Sequence, residues 1–268
     1  MLQLSRATGM FPRGSVAARD IFYGLMALLF AASTAVTVLW GLSMDSMGEI
    51  PMPGGWTLSM AWMPMCGQTW SGATISFLGM WMVMMVAMML PSLTPVLWRY
   101  HQAAGAARLT ALMGAGYLCV WAMVGLAVFS LGAALAEVAQ QSPDLARAVP
   151  LAGSAVVLLA GALQFSPWKA RHLACCRAES VRGYPLPAGA GMAWRHGLRL
   201  GLHCSQGSAG LTATLLVIGV MDLRAMAVIT LATTLERLAP GGLRIVHGTG
   251  IVIVAAGLLL MVRAGGIG

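Results

Sequence analysis

What most constrains this chain is that its apolar residues arrive in blocks as long as a bilayer is thick. Crossing roughly 30 Å of hydrocarbon takes about 20 apolar residues in a helix. Seven segments meet that need: 21–42, 74–98, 109–138, 148–165, 196–221, 223–239 and 245–262. Hydrophobic residues make up 59% of the 268 and charged residues only 9%, against roughly 25% charged in soluble domains. A water-soluble fold so poor in charge could not cover its surface with polar groups. That excludes a soluble enzyme, a disordered chain and a disulfide-stapled secreted domain. The expectation is an all-α fold: a polytopic transmembrane helix bundle of about seven spans, forming one integral membrane domain over residues 1–268. The sixth span is short. Asp222 is placed to cap it, and Pro240-Gly241-Gly242 stops it. Spans five and six read as a helical hairpin, with one long irregular segment as the alternative.

Basic residues in the connections set orientation, because they stay on the cytoplasmic side. With the N-terminus inside, thirteen of the sixteen Lys and Arg fall inside and only Arg147, Arg224 and Arg263 outside. The net charge of +8 is therefore a topology signal, and nucleic acid is not expected as a partner. The first span reads as an uncleaved signal anchor, with the N-terminus in and the C-terminus out. Two connections have content: an outer Met- and Trp-rich loop over 43–73, and an inner basic loop over 166–195.

Methionine is the most unusual feature. Twelve of the 21 lie between Met44 and Met89. Met44, Met47, Met52, Met60, Met63 and Met65, followed by Cys66, belong to the outer loop. Met80, Met82, Met84, Met85, Met88 and Met89 lie on the second span. At helical spacing Met80, Met84 and Met88 share one face, and Met85 and Met89 extend the neighbouring one. Thioethers are soft, uncharged ligands that suit Cu(I). Methionine is also a flexible gap-filler. For the span, packing outweighs ligation. For the loop the balance reverses, since an exposed segment gains little from six thioethers and Met44-x-x-Met47 can chelate.

A second constellation combines thiols and imidazoles: His172, Cys175 and Cys176 in the inner loop, His203 and Cys204 on the fifth span. Folded together they make a plausible Cu(I) or Zn set. The alternative is ordinary interfacial residues with Cys204 as a small apolar filler. His203, Cys204 and one of Met85 or Met88 are expected to converge within the bundle. Glu236 beside Arg237 reads most simply as a helix-end ion pair, and Gln206-Gly207-Ser208 as a place where the fifth helix breaks or widens. No nucleotide-binding loop, nucleophile elbow or metalloprotease motif is present, so no enzyme is expected.

Met52-Pro53-Gly54-Gly55-Trp56, Gly67-Gln68-Thr69-Trp70, and the run from Trp81 to Met89 followed by Leu90-Pro91-Ser92 make up one set of motifs. A second comprises Gly116-Tyr117-Leu118, Gln164-Phe165-Ser166-Pro167-Trp168-Lys169, Cys176-Arg177, and Leu235-Glu236-Arg237 before Pro240-Gly241. On these motifs, from about Met52 to Arg263, the chain resembles an uncharacterised bacterial family of predicted metal-binding integral membrane proteins, a domain of unknown function. The Met-rich helix ending in Pro-Ser is the most specific part. The resemblance implies metal binding in a bacterial inner (plasma) membrane. That family tends to carry several cysteines close together on the fifth span. Here only Cys204 remains, with Gln206, Gly207 and Ser208 where thiols are expected.

The reading that follows is a membrane protein that binds a soft metal, copper first, for metal handling or assembly of a membrane metalloenzyme. Its expected partners are the lipid bilayer and that metalloenzyme or other membrane subunits. Two readings from other classes stand beside it: a non-catalytic subunit of a larger membrane complex, and a small-solute transporter or channel.

Overall fold

The computed structural model describes residues 16–46, 49–64, 67–181 and 189–265. Eight α-helices lie among them: α1 (Val16–Ser46), α2 (Trp70–Ala104), α3 (Ala107–Gln141), α4 (Pro143–Gln164), α5 (Pro167–Val181), α6 (Ala190–Ile218), α7 (Leu223–Leu238) and α8 (Gly242–Gly265). All but α5 coincide with the seven apolar segments. Five of them (α1, α2, α3, α4 and α8) are long and apolar enough to cross a membrane. The 16 residues of α7 fall below the roughly 20 that a perpendicular crossing needs. In α6 the first half carries Arg195, His196, Arg199 and His203.

The outward faces are apolar, with Leu28, Leu131, Leu159, Leu231, Ile251 and Val252 all exposed. A surface of this kind needs lipid or a partner to cover it. α2 is the central helix: 56% of its apolar window is buried, against 17–28% in the other four. It runs unbroken through Pro91 and Pro95 to Ala104, where Gly105 turns the chain at φ 65. The motif ending in Pro-Ser therefore marks the middle of a helix and not its end. Trp81 is fully buried and its Nε1 donates to the Trp121 carbonyl at 2.9 Å. Its indole fills the space left by the missing side chain of Gly125 on α3.

Small residues let the other helices approach. A Cβ at Gly197 of α6 would fall on the Met113 carbonyl oxygen of α3, and one at Gly116 would lie 2.6 Å from the Trp194 carbonyl. Gly161 meets Val254 of α8, and Gly153 meets Val217 of α6 at 3.1 Å. The α6–α7 hairpin forms as expected. Gly219 turns at φ 141, and Asp222 Oδ1 accepts from the Arg224 and Ala225 amides at 2.8 and 2.9 Å. α6 does not break at Gln206-Gly207-Ser208 but continues to Ile218.

Both connections expected as loops hold structure. In the outer one, β1 (Glu49–Met52) and β2 (Trp56–Ser59) pair antiparallel with Met52 opposite Trp56. Gly54 and Gly55 make the turn at φ 100 and 73, values that side chains resist. Trp56 Nε1 donates to the Ala146 carbonyl at 2.8 Å, pinning the hairpin to the start of α4. A 3-10 turn follows at Met60–Trp62. In the inner connection, Ser166 Oγ accepts from the Lys169 amide at 3.2 Å, with Pro167 in the first helical position. Together they start α5, whose buried face is Lys169, Leu173 and Cys176.

Candidate metal centre

Two clusters of candidate ligands lie along α2, one at its N-terminal end and the other about 18 Å further on, at the level of Ser92. At its N-terminal end, where α1 finishes, a cavity of about 370 Å³ is lined by Met44, Met60, Met63 and Met80, with Trp40 and Phe77 beside them. The four methionines come from α1, the 3-10 turn, the segment after it and α2. Gln140 Nε2 donates to the Met63 sulfur at 3.4 Å. Met52 sits on β1 and is not part of this wall. Met47, Met65 and Cys66 lie outside the described residues. From the cavity the methionines continue along α2. Met84, Met85, Met88 and Met89 are all buried, exposed by 1, 1, 4 and 2%.

At the far end, α7 supplies two adjacent charged residues that do not pair with each other. Successive helical positions point about 100° apart, so Glu236 and Arg237 reach different neighbours. Glu236 Oε2 pairs with Lys169 Nζ of α5 at 2.8 Å, and its Oε1 accepts from Thr249 Oγ1 of α8 at 2.8 Å. Lys169 also donates to the Gly207 carbonyl of α6 at 2.6 Å. Burial pushes the Lys169 ammonium below the ordinary lysine range, while the Glu236 carboxylate pulls it back up. Arg177 of α5 donates to the carbonyls of Glu236 and Ala239, closing the C-terminus of α7.

Arg237 turns the other way. Its guanidinium donates to the Cys204 sulfur at 2.8 Å, the Cys204 carbonyl at 3.2 Å and Ser92 Oγ of α2 at 3.3 Å. The Tyr117 hydroxyl of α3 lies 2.8 Å from the same sulfur. Cys204 is thus fully buried, with a charge-assisted bond to its sulfur. It is more than an apolar filler.

Cys204, Met85 and Met88 are all buried in the hydrophobic core that runs through the bundle. The neighbouring His203 ring points to a different partner, the His172 ring of α5, with centroids 5.7 Å apart. Burial holds His172 below the ordinary imidazole range, and His203 and Arg171 lower it further. Cys175 is exposed and Cys176 buried, again because adjacent helical residues diverge. Among the described residues no three His, Cys, Asp or Glu side chains gather closely enough to hold one ion. The combined Cys175, Cys176, His203 and Cys204 set therefore does not assemble. Lys169 and the Arg237–Cys204–Tyr117 contact were not singled out from sequence. The signals available were two charges inside an apolar segment and the Ser166-Pro167 helix start.

A family model described as a copper chaperone, PpoB2, matches residues 78–260. The match takes in Met80, the rest of the α2 methionines and the whole far-end cluster. Met44, Met60 and Met63 precede it. Comparison with curated proteins and with solved structures gives no match.

Proposed function

The chain belongs to the copper chaperone family, and from that premise we propose that it takes up Cu(I) through thioethers in a membrane and passes it along α2. The cargo serves storage, transfer or assembly of a membrane metalloenzyme, and the protein carries out no enzymatic step of its own. The observation that supports this best is the gathering of Met44, Met60, Met63 and Met80 around one cavity, continued by the buried methionines of α2. Thioethers match a soft monovalent ion. Being uncharged, they line an apolar bundle without the cost that an intramembrane carboxylate carries. At 1.5 Å per residue, Met80 to Ser92 covers about 18 Å along the axis. That run joins the cavity to the level at which Arg237 holds Ser92 and Cys204. On this reading the cavity opens on the outer face of a bacterial inner membrane and α5 lies on the cytoplasmic side, an orientation that the bias of basic residues supports.

The test uses the full-length protein in detergent, loaded anaerobically with Cu(I) and read by elemental analysis and copper X-ray absorption. The wild type binds copper with sulfur scatterers. M44L/M60L/M63L/M80L keeps apolar bulk and loses that sulfur-bound copper. Because thioethers need no deprotonation, this component holds its affinity between mildly acidic and neutral pH. Sulfur-bound copper retained at full occupancy in the quadruple variant refutes the assignment of the cavity.

A further inference from the structure

The His172–His203 pair is the feature of the far end that packing explains least. The two residues come from different elements, α5 and α6, and their rings lie 5.7 Å apart between centroids at an interplanar angle of 40°. Each ring has a buried Nδ1 with no hydrogen-bond partner. A buried polar atom normally finds one, and here two such atoms occur on neighbouring rings. The contact is held rigidly. Lys169, one turn before His172, is tied to Gly207 and Glu236. Arg177, just over one turn after it, is tied to the end of α7. Trp168 packs edge-on against His172 at 4.6 Å and also lines a cavity of about 350 Å³ with Ser205 and Gln206 of α6.

We infer that His172 and His203 form a two-imidazole site for Cu(I) at the α5–α6 contact. With metal–nitrogen bonds of about 2.0–2.1 Å and each nitrogen about 1 Å from its ring centre, two opposed imidazoles on one ion place their centres about 6 Å apart. The observed separation of 5.7 Å matches that span with a slight bend at the ion, each ring turning its unpartnered Nδ1 to it on binding. Zinc calls for four ligands, and no third His, Cys, Asp or Glu among the described residues joins these two. Two neutral donors suit a monovalent d10 ion. Of the nearby cations, Lys169 is already offset by Glu236 and Arg171, which also acts on His172, is exposed to solvent. This inference rests on the copper-handling reading and adds a nitrogen-ligated station at the end of the thioether path.

The experiment loads the full-length protein in detergent with Cu(I), without reductant thiols. Bound copper is counted and its ligands are read by X-ray absorption, in which imidazole gives a distinctive multiple-scattering pattern. The wild type shows imidazole as well as sulfur ligation. H172Q and H203Q each remove the imidazole pattern and one copper per chain, and leave the sulfur-bound ion in place. Conversely, M44L/M60L/M63L/M80L removes sulfur-bound copper and keeps the imidazole-bound ion. Sulfur ligation alone in the wild type, or an imidazole pattern unchanged in both single His variants, overturns the site while leaving the methionine reading intact. No copper at all on the wild type overturns both. The wild-type spectrum decides even if a variant fails to fold.

Discussion

Replacing Lys169 by Met leaves the Glu236 carboxylate buried with Thr249 as its remaining side-chain donor. The two side chains of the pair are only 5% and 3% exposed and meet at 2.8 Å. At an effective dielectric of 20, opposite charges at that separation attract by about 6 kcal/mol before desolvation is subtracted. Breaking a buried pair by removing one partner costs about 3–5 kcal/mol, because the surviving charge is stranded. The Gly207 carbonyl loses its donor as well. K169M should therefore lose about 3–5 kcal/mol, a large share of the roughly 5–15 kcal/mol that holds a typical domain. By contrast K169M/E236M, which removes both charges and keeps bulk, should lie near the wild type or well above the single variant. Thermal unfolding in detergent, followed by helical circular dichroism, measures all four members of the cycle. Additive losses in the double variant, or a K169M cost below about 1 kcal/mol, would show that the two groups are not coupled as a buried pair.

Four shorter predictions concern other contacts. Gly197→Ala puts a methyl group on the Met113 carbonyl oxygen at the α3–α6 crossing. It should lower stability by about 1–3 kcal/mol, read in the same unfolding assay. Arg177→Ala removes the donors on the Glu236 and Ala239 carbonyls, costing about 1.5–3 kcal/mol and speeding hydrogen exchange at the α7–α8 junction. In the metal-free protein His172 is held below the ordinary imidazole value, so the unfolded chain takes up the proton first. This contribution to α5 docking should be complete above about pH 6.5 and lost as pH falls through that value towards the lower folded one. H172Q should abolish that pH dependence of α5 protection. A membrane-impermeant thiol reagent should fail to label the exposed Cys175 in intact cells and label it in inverted vesicles. Labelling in intact cells would reverse the orientation.

Length and apolarity alone determined that α1, α2, α3, α4 and α8 are membrane-length helices, because a bilayer-thick apolar block has few other ways to satisfy its backbone. Local chemistry was equally legible at the Asp222 cap, where the side chain accepts from the Arg224 and Ala225 amides as its position before the short span implies. The methionine clustering was visible too, but not its division. Met44, Met60 and Met63 are loop-set residues in sequence, and only the packing of α1 and the 3-10 turn against α2 places Met80 among them. The far end depended on tertiary structure still more. Residues 236 and 237 are neighbours in the chain, and the 100° step of a helix sends one to Lys169 and the other to Cys204. The same step separates His203 from Cys204 and Cys175 from Cys176. A residue type shows which metal chemistry is possible. Which donors meet is decided by helix phase and by the close crossings that glycine permits, and neither can be read along one strand of sequence.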